Sequence, residues 1–203
     1  MDEEKFWEYI SLVDSSSRKF HNKYQKERYQ NWLIRREILK SNSFEELIDY
    51  DRIYNKKLDD LFQPKIIELK LVNHLSIEEL TKERPYISND GFRDFRGYII
   101  GLGRKEYELV KNFTKEDEIF HIDFYINVAY RSDLEFIYRN LYNNYFSKRG
   151  KDKIEKMNKE KTYTNYFLSF EDIIDQINLN NLDKNYPKMI AKTLKEEKSD
   201  KWK

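Results

Sequence analysis

Residues 88–104 read SNDGFRDFRGYIIGLGR and hold four of the chain's five glycines, at positions 91, 97, 101 and 103. Two local structures compete for such a stretch. A phosphate-cradling loop needs G-x-G-x-x-G between a strand and a helix, or G-x-x-x-x-G followed by Lys and a hydroxyl residue. Neither spacing is present, because Gly101-Leu102-Gly103 runs into Arg104 and Lys105 without a third glycine or a hydroxyl. Phe92, Phe95, Tyr98, Ile99 and Leu102 instead recur three and four apart, which places them on one face of a helix. Ser88, Asn89 and Asp90 supply acceptors for the N–H groups at its start, and Gly103 suits the backbone at its end. The stretch reads as a capped helix, with Gly97 and Gly101 allowing another element to come close.

The same signals recur on either side. Ser43-Phe44-Glu45-Glu46 is a capping box, and Phe44, Leu47, Ile48, Asp51, Tyr54, Leu58, Leu61 and Phe62 continue it, with only Asp51 out of place, as an apolar stripe of about five turns that Pro64 ends or kinks. Ser76-Ile77-Glu78-Glu79 predicts a short helix to about Arg84, and Ser132-Asp133-Leu134-Glu135 predicts one through Ile137, Leu141 and Tyr145 that Gly150 stops. Thr114-Lys115-Glu116-Asp117 is a weaker variant. Phe6, Trp7, Ile10 and Val13 form a helical face behind an Asp2 cap, while Ser169 and Pro187 open two more helices near the C-terminus.

Two segments alternate with period two instead: Phe120 to Arg131, and Ile67, Leu69 and Leu71. Strands there would lack partners for their backbone, so helix is favoured and a short hairpin or small sheet is the alternative. The expected fold class is mainly α, a multi-helix single domain with that hairpin or sheet left open. Composition changes near Ser147, which divides the chain into a helical domain at 1–147 and, at 148–203, a charged linker with a short helical extension.

Bulk properties bound the function. Of the 203 residues 37% are charged, and 13 Phe, 16 Tyr and 3 Trp supply the apolar area that a core needs. The net charge of +1 gives no overall field for nucleic acid or an anionic membrane. Without cysteine there are no disulfides, thiolate zinc sites or Cys nucleophiles, which fits a reducing cytosol. The acidic opening MDEEKFWEYI and the lack of a long apolar run lead to the expectation of a soluble cytoplasmic protein that does not span a membrane.

The run Asp90-Gly91-Phe92-Arg93-Asp94-Phe95-Arg96-Gly97-Tyr98-Ile99-Ile100-Gly101-Leu102-Gly103-Arg104, followed by Tyr107, resembles the signature of a bacterial family, domain of unknown function 4240. In that family a D-x-F-x-x-F-R-x-W-L-I-x-x-G-like segment precedes an aromatic; here Tyr98 stands where the family usually has Trp. Lys5-Phe6-Trp7 and Ile10 are similar to the family's opening, and Leu39 to Leu75 fits its central helical part. The resemblance covers about residues 1–130 and is most specific at 90–107. It implies a helical fold and supplies no reaction.

Chemistry-bearing residues are sparse. His21, His74 and His121 lack metal-ligand spacing, and Ser15-Ser16-Ser17 lacks the glycines of a nucleophile elbow, so no catalytic residue, metal or cofactor is assigned. Glu45, Asp49, Asp59 and Asp60 read as a solvated face. Charge is distributed unevenly, however. Residues 18–40 carry eight Lys or Arg against two Glu, interleaved with Phe20, Tyr24, Tyr29 and Trp32, while residues 105–135 carry eight acidic side chains against four basic ones. The basic segment reads first as an amphipathic helix with its aromatics facing the core, and second as a grip for phosphates and bases. The acidic stretch is expected to fold against it.

Arg96 is expected to pair with a carboxylate of another helix, with Asp90, Arg93, Arg96 and Arg104 as the alternative ligand contacts. The leading functional expectation is a non-catalytic protein-binding protein, immunity-like or regulatory, that meets a protein partner through complementary charge. Glu116, Asp117 and Glu118 are its candidate contacts. The alternative is a nucleic-acid-associated protein using residues 18–40, with Arg35 and Arg36, and the basic residues of 148–161. An enzyme of unknown reaction comes third.

Overall fold

The computed structural model describes residues 1–14, 19, 23–41, 43–74, 87–124, 137, 141, 177 and 181–200, the side chains of residues 23, 24, 27, 74 and 196–200 excepted. Among them are α1 (Glu3–Ser11), α2 (Lys23–Ser41), α3 (Phe44–Asp60), α4 (Pro64–His74), α5 (Asn89–Gly101), α6 (Arg104–Asn112), α7 (Glu116–Ile119), α8 (Leu182–Asn185) and α9 (Pro187–Asp200), and no strand. The described part of the chain is helical, as the mainly α expectation has it.

Helix starts follow the local chemistry. Asp2 accepts from the Lys5 N–H at 2.9 Å, Ser43 from the Glu46 N–H at 3.1 Å, and Ser88 from the Gly91 N–H at 3.0 Å. Each satisfies an N–H that has no partner within its own helix, a contribution of about 1 kcal/mol. Glu46 does not complete the expected box, because its carboxylate turns inward to the Tyr9 hydroxyl and the Lys5 ammonium. Pro64 neither ends nor kinks α3, which stops at Asp60; it occupies the first position of α4, where a missing N–H costs nothing. Gly103 joins α5 to α6 at φ 106°, a backbone region open to glycine.

Helix α5 is central, packing against α3, α4 and α6, while α3 also meets α1 and α2. Phe92, Phe95, Ile99 and Ile100 of α5 are buried, as are Leu47, Tyr50, Tyr54 and Leu58 of α3. Ile66, Ile67, Leu69, Leu71 and Val72 are all buried on α4, so the apparent alternation at 67–71 belongs to a helix covered on several sides. The C-terminal α9 covers one of those sides, and Leu182, Tyr186 and Met189 enter the same core.

Residues 120–124 form a turn after α7, with Ile122 and Phe124 buried; the rest of the 120–131 alternation lies outside the described residues. So do the helix expected after Ser76, the one expected after Ser169 apart from Ile177, and the basic 148–161 segment. Of the helix expected after Ser132, only Ile137 and Leu141 are described, both helical and buried.

Candidate functional site

Helix α2 has an inner and an outer face. Gln30, Ile34 and Ile38 recur every four residues and are buried together with Leu33. Trp32 and Arg36 sit two positions from these, about 200° round the helix at 100° per residue. Gln25, Arg28, Trp32, Arg36 and Lys40 are accordingly exposed, with Tyr29 half-buried beside them. Trp32 has 49% of its surface in water, and it and Phe120 are the exposed large hydrophobics among the described residues. The expectation that the aromatics of this helix face the core fails at Trp32, whose position two residues away from Gln30 and Ile34 carries it outward.

The indole is held in place. Tyr29, one turn before it, stacks at 5.4 Å between ring centroids with 18° between planes, and the Arg36 guanidinium, one turn after it, lies 4.8 Å from the ring. Arg36 also donates to Glu37 Oε1, which Lys40 Nζ reaches at 2.7 Å. Hydrogen bonds from these cations hold the Glu37 carboxyl below its ordinary range despite some burial. The outer face is therefore a stacked aromatic and guanidinium ladder in a positive setting.

The other predicted residues lie on α5, α6 and α7. Asp90 is exposed in the first turn of α5. Arg93 Nη2 lies 3.5 Å from Asn55 Oδ1. Arg96 is buried, its guanidinium against the Phe62 and Phe92 rings and Nη1 donating to the Leu58 carbonyl at 2.9 Å. This described partner is main chain at the C-terminus of α3, where the helix dipole favours a cation. Arg104 donates to both carboxylate oxygens of Glu4 at 2.7 Å, tying α6 to α1.

The acidic turn faces α9 rather than α2. Glu116, buried, accepts from the Lys188 and Met189 N–H groups, and Asp117 pairs with the Lys188 ammonium. Glu118 accepts from the Thr114 hydroxyl and the Thr114 and Lys115 N–H groups, which lower its pKa. The physical reason is that α9 begins, after Pro187, with two N–H groups that have no partner within the helix, those of Lys188 and Met189, a better destination for carboxylates than an exposed lysine.

Two features had no signal in the sequence. Lys70 is largely withdrawn from water over the Phe95 ring, at 5.6 Å, and loss of hydration lowers its pKa to about 8 while the charge of Asp94 works in the opposite direction. Lys57 is buried between the Trp7 and Tyr107 rings, with Nζ 2.6 Å from Glu3 Oε1. Among the described residues no group of three or more His, Asp or Glu is placed to hold a metal ion, and no helix is long and apolar enough to cross a membrane. His121 is exposed; the other two histidine side chains lie outside the described set.

Among the described residues, fold and site together define a helical protein with an exposed aromatic and basic helix face. The chain belongs to the family described as protein of unknown function (DUF4240), whose pattern matches residues 1–119. That span contains the 88–104 stretch and α1 to α7. No curated protein and no solved structure matches the chain.

Proposed function

We propose that the chain is a non-catalytic protein-binding protein of an immunity-like or regulatory kind, bacterial and cytoplasmic, which meets its partner with the outer face of α2. The observation that carries this reading is Trp32, half in water yet held between Tyr29 and Arg36. Trp, Tyr and Arg are the residues on which binding energy concentrates at protein interfaces. A preorganised indole loses little freedom on docking, and its exposed edge suits a pocket on a partner. The acidic turn is engaged by α9, so the contact surface is the basic helix, and complementary charge asks for an acidic partner.

Nucleic acid is the second reading, supported by exposed Arg28, Arg36 and Lys40 along the same stripe. Stacking of a base is less suited to an indole that has neighbours one turn before and one turn after it. A photo-crosslinking residue at position 40, with a control at exposed position 184, tests both readings in the source cell. A discrete protein adduct from position 40 that is lost on Trp32→Ser supports the proposal. No adduct, or one removed by nuclease, overturns it.

A further inference from the structure

Helices α2 and α3 carry buried polar atoms without hydrogen-bond partners, and the Arg35 charge on α2 acts on the Tyr50 hydroxyl of α3. Asn31 is 2% exposed, and neither its Oδ1 nor its Nδ2 is hydrogen-bonded. Arg35 stands one turn further along α2, half-buried, with its Nε shielded from water and unbonded. Across the helix pair Tyr50, 1% exposed, has a buried hydroxyl in the same condition. Residues four apart on a helix are neighbours, and α2 packs on α3. Native proteins leave very few buried polar atoms unpaired, and an unmade hydrogen bond costs more than a made one returns.

We infer that Asn31, Arg35 and Tyr50 form a binding site for a carboxylate. The donors fit that group: a guanidinium that offers a planar fork, an amide N–H and a phenol O–H. The single cation of the group matches a single negative charge better than a phosphate dianion, and Asp51 beside Tyr50 adds a negative field that disfavours further charge. Burial raises the Tyr50 hydroxyl well above its ordinary pKa, which keeps it a donor. The Asn31 Oδ1 acceptor is free to take an N–H or O–H next to the carboxylate in a larger ligand. The site is distinct from the Trp32 ladder and does not depend on the partner reading.

The test uses the full chain labelled with nitrogen-15, following the Arg35 Nε–H resonance while acetate, benzoate, inorganic phosphate or chloride is added at constant ionic strength. A fifth probe is an N-acetylated, C-amidated Gly-Asp-Gly peptide, whose only carboxylate is a side chain. Saturable shifts with a carboxylate and none with chloride are expected. Binding of acetate or benzoate alone assigns the site to a free small acid, and equal binding of the peptide assigns it to an acidic side chain of a partner. Tyr50→Phe, which keeps the ring and removes one donor, weakens binding about tenfold, and Arg35→Lys, which keeps the charge and loses the fork, does the same. Absence of saturation by every probe, saturation by phosphate alone, or unchanged affinity in both variants overturns the proposal.

Discussion

The side-chain amide of Gln30 donates to the Gly101 carbonyl at 3.2 Å, and the same nitrogen donates to the Ile10 carbonyl at 2.6 Å. Both acceptors lie in the last turns of helices, α5 and α1, where carbonyls have no partner within the helix. One buried side chain of α2 thus satisfies the ends of two other helices. Gln30→Leu, similar in volume, leaves both carbonyls unpaired and should lower the unfolding free energy by about 1–3 kcal/mol, read from the urea midpoint at unchanged slope. An unmoved midpoint would show that these bonds contribute nothing net.

Lys70 makes stability depend on alkaline pH. Its folded-state pKa is lowered to about 8 from an ordinary 10.5, first by loss of hydration. Between those values the unfolded chain binds the extra proton, so stability rises with pH across the window and the penalty is fully present below it. The effect is at most roughly 2–3 kcal/mol. Lys70→Met should be more stable than the native chain at pH 7, with the difference closing by pH 10.5. A pH-independent difference between the two chains would contradict this account.

Glu116 holds α9 from outside, accepting from two N–H groups in its first turn. Glu116→Ala should cost about 1–2 kcal/mol, the scale of a lost helix cap. Hydrogen exchange should quicken across 188–195 while α3 stays protected. Uniform quickening throughout the chain would mean that α9 does not open separately.

Gly103 sits at φ 106° and ψ 170°, a region that side chains rarely enter. Its nearest obstacle to a Cβ is Glu106 Oε2 at 3.8 Å, so space is ample and the strain is in the backbone. Gly103→Ala should therefore destabilise by about 1–3 kcal/mol, seen as a lower Tm without loss of helical circular dichroism. An equal or higher Tm would refute the strain.

Helix starts and the buried face of α5 were legible because they depend on short-range chemistry: a hydroxyl or carboxylate at Asp2, Ser43 and Ser88, and rings three and four apart from Phe92 onward. Destinations of long polar side chains were not. Glu46 sits where a capping box requires it, yet a tyrosine hydroxyl 37 residues away draws it off. Arg96 was legible as a structural residue, but its Leu58 carbonyl partner depends on how α5 crosses the end of α3. At the candidate site, Arg35 and Arg36 stood out as charge, whereas the outward turn of Trp32 follows from which neighbours are covered. Asn31 and Tyr50 gave no signal, because a missing hydrogen bond has no trace in spacing.

The carboxylate that secures α9 is residue 116, inside the span matched by the family, and the helix it secures begins at 187, well beyond it. Tyr186 repeats the arrangement, its hydroxyl near Glu68 and its ring against Phe113, while Thr193 donates to the Val72 carbonyl. The family segment therefore supplies the berth, and the chain moors its own tail there. Cutting that mooring would turn the flank of α4 at Glu68, Val72 and Asn73 into a vacant landing place, open to whatever helix the surroundings offer.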